Sequence, residues 1–341
     1  MKVVIVGGSN SLKKDGWTSF LPAMVPGVEI INQSIGAAPT LMGYYRLVTG
    51  VKLDPGDIVI WEYALNDEAK IKLKTYSAES AHRHLEMTIR YASSMGAFFI
   101  PVVFAEIENS DNGRKNQYLA GLAQLFSTYG LIPVSAVDLY CAAHNVDRIP
   151  MEEFQNRKHY SVSSDVVQMV VKAVAEQIFQ PVAPKSSVAP IFFVNEPELF
   201  FADDFTGGRQ FEFKNSIVYL KVHEPLVENP LLLKVPTGTW TVLGAIVLRS
   251  KDPRLLDFEF DRLAVLTSLS YRSRNHSRPM LGFRQFATGS DIIVTEGSQV
   301  RIARPERTMK RNRRMESDQP DAENDDHGVI CLILEPRKSL G

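Results

Sequence analysis

Cysteine is scarce: Cys141 and Cys331 are the only two in 341 residues. They stand far apart and outside any metal-ligand spacing, which argues against a disulfide framework and fits a reducing compartment. An excess of either charge is also missing, since 38 basic and 39 acidic residues leave a formal net charge of −1. That balance gives no reason to expect nucleic acid or a membrane surface as a main partner. No stretch approaches the ~18 apolar residues that span a bilayer. The run Val3-Val4-Ile5-Val6 is too short for a signal-peptide core, and no cleavage pattern follows it. A cytoplasmic protein is the expectation. Walker loops, dinucleotide fingerprints after a strand, HExxH and paired CxxC motifs are all lacking, so neither a nucleotide nor a metal cofactor is indicated. His82 and His84 read as members of a polar helix face. His144, His223, His276 and His327 have no metal-like partners.

What is present is ordinary globular material, 45% hydrophobic and 23% charged, enough for a sizeable core. The length exceeds one typical α/β domain, so two are expected. The first half alternates strand-like and helix-like segments. Short β-branched runs at 3–6, 28–32, 57–63, 97–104 and 132–137 suit buried parallel strands. Between them, Ser77 caps a predicted helix to about Met95, with Gly96 beyond it. Residues 112–129 put Leu119, Leu122, Leu125 and Phe126 on one face before Gly130, and 162–179 repeat Val166, Val170, Val174 and Ile178. Strands alternating with helices imply right-handed crossovers and a parallel sheet covered on both faces, a three-layer α/β domain over residues 1–180.

Pro181, Pro184 and Pro190 mark residues 181–190 as a linker. Beyond it the period changes. Strands are predicted at 211–222, 240–248, 255–260, 263–268, 291–295 and 329–334, with no helical stripe among them, so residues 191–341 read as an antiparallel β-sandwich. Within it, residues 304–328 carry a basic block (Arg307, Lys310, Arg311, Arg313, Arg314) and then an acidic one (Asp318, Asp321, Glu323, Asp325, Asp326). The charges cancel and no aromatic residue interleaves for base stacking, so a mobile surface loop is expected rather than a nucleic-acid patch.

Chemistry in open parallel sheets gathers at the carboxyl ends of strands. The first strand ends in Gly7-Gly8-Ser9-Asn10-Ser11, the second runs into Asn32-Gln33-Ser34-Ile35-Gly36, and the third ends in Ala64-Leu65-Asn66-Asp67. A fourth segment, Phe154-Gln155-Asn156-Arg157-Lys158-His159, precedes the last helix. A hydroxyl nucleophile needs a base in hydrogen-bond reach and a tight turn that exposes it. In order and spacing the four segments resemble the sequence blocks of the SGNH/GDSL hydrolase family. The resemblance covers residues 1–180. It implies a flavodoxin-like three-layer fold, Ser9 as nucleophile, His159 as general base, and an oxyanion hole built from the N–H groups of Ser9 and Gly36 and the Asn66 side chain.

The departures bear on the chemistry. Block one usually reads Gly-Asp-Ser, where this chain has Gly7-Gly8-Ser9, and Ala64 stands where block three usually has glycine. Three residues before the histidine the family has Asp; here it is Asn156, which can orient the imidazole but brings no negative charge. A Ser9–His159 dyad oriented by Asn156 is favoured over an acid borrowed from Glu153 or Asp147, or a weakened enzyme. Ser11 is the rival nucleophile.

By analogy with the family, the expected reaction is removal of acetyl or other short acyl groups from a carbohydrate or polysaccharide precursor. The fused domain would be jelly-roll-like. An O-acetyltransferase on the same site and a non-catalytic carbohydrate-binding or scaffold protein on a decayed hydrolase fold are the alternatives. The oligomeric state is not legible.

Overall fold

The structure, a computed structural model, describes residues 1–192, 195–215, 218–249, 255–261, 263–268, 280–284, 292–304 and 327–337. The charged segment 304–328 lies outside the described residues except at its two ends. The chain divides into two compact units, Met1–Val194 and Asn195–Gly341.

In the first unit five strands, β1 (Lys2–Gly7), β2 (Glu29–Asn32), β3 (Ile58–Glu62), β4 (Phe98–Val103) and β5 (Val134–Ser135), form a parallel sheet in the order β2-β1-β3-β4-β5. This is the flavodoxin-like order that the SGNH/GDSL resemblance implied. Its switch point falls between β1 and β3, where successive connections leave in opposite directions and open a crevice at the strand ends. The helices are α1 (Ser9–Leu12), α2 (Leu21–Met24), α3 (Thr40–Gly50), α4 (Ala64–Lys72), α5 (Ala78–Ser94), α6 (Gln117–Tyr129), α7 (Ala136–His144) and α8 (Asp165–Phe179).

Alternation along each strand splits the core into two layers. Val3, Ile5, Ile58, Ile60, Ile100 and Val102 face Val166, Val170 and Val174 of α8 in one buried cluster. On the opposite side Val6 meets Gly43 of α3, and Trp61 packs edge-on against Phe126 of α6. Local signals set the helix ends. The Ser77 side chain accepts from Ser80 N–H, Asn116 and Ser164 do the same for α6 and α8, and Gly130 ends α6 in the left-handed conformation.

Two differences from the sequence reading have clear causes. Residues 132–137 are not one strand: only Val134–Ser135 pairs, and Ser135 then caps α7. His82 and His84 do not lie on a polar face but are both buried. The His82 ring stacks on Tyr118 and its Nε2 meets the Tyr118 carbonyl, while His84 Nδ1 pairs with the Tyr76 hydroxyl. A polar ring is tolerated inside because a partner satisfies it. The proline-rich stretch lies along this unit, with Val188 O accepting from Arg90 and the backbone N–H groups of Ile191 and Phe192 donating to the buried Glu86 carboxylate.

The second unit holds two antiparallel sheets. The first contains β6 (Glu198–Phe201), β7 (Arg209–Lys214), β8 (Tyr219–Glu224), β10 (Thr239–Arg249), β13 (Met280–Arg284), β14 (Ile292–Thr295) and β16 (Gly328–Arg337). The second has β9 (Leu231–Lys234), β11 (Leu255–Phe260), β12 (Leu263–Ser268) and β15 (Gln299–Ala303), in the order β12-β11-β15-β9. Trp240, Val247 and Leu332 from one sheet and Leu231, Phe258 and Ile302 from the other share a single buried cluster, which makes the unit a sandwich.

Burial, with Arg83 adding to it, lowers the His84 pKa from 6.5 to about 3. The native state therefore binds fewer protons than the unfolded chain, so this contribution to stability is full above pH 6.5 and is lost as pH falls toward about 3. Urea unfolding of wild type and His84→Gln across that range should show the stability difference between them shrinking as pH drops.

Candidate active site

The crevice at the switch point is assembled from the ends of β1, β2 and β3 and from the loop before α8. Ser9 follows Gly7-Gly8 as the first residue of α1 and is half-buried. His159 Nε2 lies 2.8 Å from Ser9 Oγ, within the reach of a nucleophile–base pair. Ser11 points the other way, as a residue two positions on in a helix must. It is fully buried, donates from Oγ to Glu62 (2.7 Å) and receives a hydrogen bond from Trp17 Nε1.

Two buried carboxylates at the end of β3 hold the surrounding backbone. Glu62 Oε2 accepts from Gly8 N–H (3.1 Å) as well as from Ser11, gripping the turn that carries Ser9. Five residues on, Asp67 accepts from both the backbone N–H and the hydroxyl of Thr40. That contact ties the end of the Gly36 loop to α4, which carries Asn66. Burial is the largest influence on both acids and pushes each up to about 7, against their hydrogen bonds. Sequence reasoning missed both. The available signal was a carboxylate inside the apolar run Ile58-Val59-Ile60-Trp61-Glu62, since such a residue is seldom buried without a task.

Gly36 adjoins Ser9, and Asn66 adjoins Gly8, the residue before it. A Cβ on Gly36 would meet Ser9 Cβ at 3.6 Å, and a Cβ on Gly8 would fall 2.1 Å from Asn66 Oδ1. The second distance explains why glycine stands at position 8: the Asn66 amide occupies the space a side chain would need. Asn66 is 7% exposed, and neither its amide nor the N–H groups of Ser9 and Gly36 donate a hydrogen bond among the described residues.

The His159 loop is fastened from several directions. Asn10 donates from Nδ2 to Lys158 O (3.1 Å), and Ile107 N–H donates to Arg157 O (3.1 Å). Glu106, 1% exposed, sits among Lys72 (3.0 Å), Lys158 (3.3 Å) and Arg157 (3.6 Å). Its carboxyl is held below the usual value by the Lys72 and Lys158 ammonium groups, which outweigh its burial.

Asn156 Nδ2 lies 3.0 Å from His159 Nδ1, so the residue in the family's acid position does contact the ring. Neither other acid does. The Glu153 carboxylate reaches Tyr140 OH and the backbone N–H of Val166, and Asp147 contributes its backbone carbonyl to Asn112 N–H. Burial lowers the His159 pKa, and the positive charges of Lys13 and Lys158 lower it further. Among the described residues no three His, Cys, Asp or Glu are grouped to hold a metal ion. No described helix is long and apolar enough to cross a membrane.

Neither a protein-family model nor a curated protein matches the chain. Solved structures do. A two-domain esterase (CEX) active on acetylated mannans aligns over 99% of this chain and 92% of its own, with TM-score 0.60 at 14% identity. The same esterase co-crystallised with mannopentaose aligns over 100% and 92%, with TM-score 0.62 at 12% identity. The chain thus shares the fold of that two-domain esterase, and in this chain a parallel α/β unit is followed by a β-rich one.

His159 should titrate below 6.5 when its ring protons are followed by NMR. Removing one of the neighbouring cations in Lys13→Met should move the midpoint upward.

Proposed function

We propose that the chain is a serine ester hydrolase of the SGNH type that removes acetyl groups from a carbohydrate. The observation that carries this reading is the 2.8 Å contact between Ser9 Oγ and His159 Nε2. Ser9 Oγ attacks the ester carbonyl carbon while its proton passes to His159 Nε2. The carbonyl electron pair moves onto oxygen, which rests on the Ser9 and Gly36 N–H groups and the Asn66 amide. As the intermediate collapses, the bond to the sugar oxygen breaks and that oxygen takes the proton from Nε2, leaving acetyl-Ser9. A water molecule repeats the sequence, its proton going to Nε2 and returning to Ser9 Oγ, and acetate departs.

The substrate class rests on the likeness in fold to an esterase active on acetylated mannans. A β-sandwich in the second unit is compatible with a role in holding a saccharide chain. The lowered pKa of His159 suits the base role, because it favours the neutral imidazole that can accept a proton.

Hydrolysis of p-nitrophenyl acetate tests the nucleophile: Ser9→Ala should abolish it, and activity surviving in Ser9→Ala would overturn the assignment. Acetate release from an acetylated mannan oligosaccharide tests the substrate class. Gly8→Ala should displace the Asn66 amide and, like loss of one oxyanion donor elsewhere, lower kcat by roughly 10²–10³-fold.

A further inference from the structure

We propose that Asn156 is a positioning residue that holds the resting His159 ring in the tautomer with its proton on Nε2, and so acts as a brake on the Ser9–His159 reaction. The inference rests on the esterase reading above. Its warrant is the orientation of one amide. Asn156 Oδ1 accepts two backbone hydrogen bonds, from Lys158 N–H (3.0 Å) and His159 N–H (3.1 Å). Turning the amide over would lose both and set its hydrogens against two donors. The orientation is therefore fixed by the loop itself, and it is Nδ2, a donor, that stands 3.0 Å from His159 Nδ1.

A donor facing Nδ1 requires a lone pair there. The neutral ring then carries its single proton on Nε2, and Nε2–H donates to Ser9 Oγ across the 2.8 Å contact. A base that is to take the Ser9 proton must present a lone pair at Nε2 and hold the hydrogen on Nδ1. An aspartate at position 156 would favour that arrangement, accepting both backbone N–H groups on one oxygen and Nδ1–H on the other. With asparagine the reactive form is reached only when Nδ1–H confronts the amide hydrogens or the amide gives up its backbone bonds.

Among the described residues no other group corrects the imbalance. The charged neighbours that act on the ring are Lys13, after α1, and Lys158 in its own loop, both cations. Glu106 is engaged with Lys72, Arg157 and Lys158, Glu153 with Tyr140 and Val166, and Glu62 with Gly8 and Ser11 beneath the turn. The protonated ring is therefore disfavoured along with the reactive tautomer.

The test is two-bond proton–nitrogen correlation NMR on the full chain with ¹⁵N-labelled histidine, above the His159 midpoint, with His159→Gln used only to assign the signals. Wild type should show a proton-bearing Nε2 and a lone pair on Nδ1, and Asn156→Asp the reverse. The same substitution should raise kcat for p-nitrophenyl acetate by about tenfold or more, in the opposite sense to the loss seen when a triad aspartate becomes asparagine. It should also move the acid limb of the rate profile to higher pH, because the carboxylate stabilises the imidazolium. A proton found on Nδ1 in wild type overturns the proposal while leaving the esterase reading intact. So does an Asn156→Asp protein that reverses the tautomer without gaining rate. Nε2–H in wild type with no hydrolysis by either protein would sink the esterase reading and the brake with it.

Discussion

Gly7 and Gly8, which lead into the nucleophile, have no side chains with which to hold themselves in place. They are bare because neighbours fill the space: a Cβ on Gly7 would fall 2.4 Å from Ser11 Oγ, just as one on Gly8 would meet Asn66. The geometry of the turn depends on the Glu62 carboxylate, which reaches from the central strand to the Gly8 N–H and the Ser11 hydroxyl. Such an arrangement is costly, since Glu62 is fully buried and its second oxygen has no partner among the described residues. What the cost secures is a rigid turn, and rigidity is what lets a hydroxyl and an imidazole from residues 150 positions apart meet at hydrogen-bond distance. Asp67 repeats the device on the Gly36 loop, while the loop carrying His159 is held separately, by Asn10, Ile107 and Glu106.

Much of the first unit was legible because its signals are local. β-branched runs marked the strands, and Ser77 and Gly130 marked helix ends that the structure uses as such. α3 escaped notice because Pro39 precedes it without a side-chain cap and its first eight residues are all buried, which removes the polar face that betrays an amphipathic helix. In the second unit the segment 211–222 read as one strand falls in two antiparallel strands, β7 and β8, and between them Asn215 N–H donates to Val218 O. β6, β9, β13 and β15 were not among the strands read from the sequence.

The candidate site divides along the same line. Ser9, Gly36, Asn66 and His159 stand in short segments whose order can be read directly, and the structure brings them together. The roles of Glu62, Asp67 and Glu106 could not be read, because each acts across tens of residues on a backbone group or on a loop. Nor could the sense of the Asn156 amide, which depends on where two N–H groups of its own loop point. Burial of His82 and His84 was illegible for a related reason: their satisfying partners, Tyr118 and Tyr76, come from outside the helix.

The crowding of Gly8 against Asn66 carries a consequence for how the sequence can change. Positions 8 and 66 compete for one volume, so their substitutions are not independent. A side chain can enter at residue 8 only after residue 66 has shrunk or the loop has shifted, whereas residue 66 can shrink freely while residue 8 is glycine. The pair is epistatic with a direction, and related chains that carry a larger residue at position 8 should have accommodated it by a different path of the backbone around position 66.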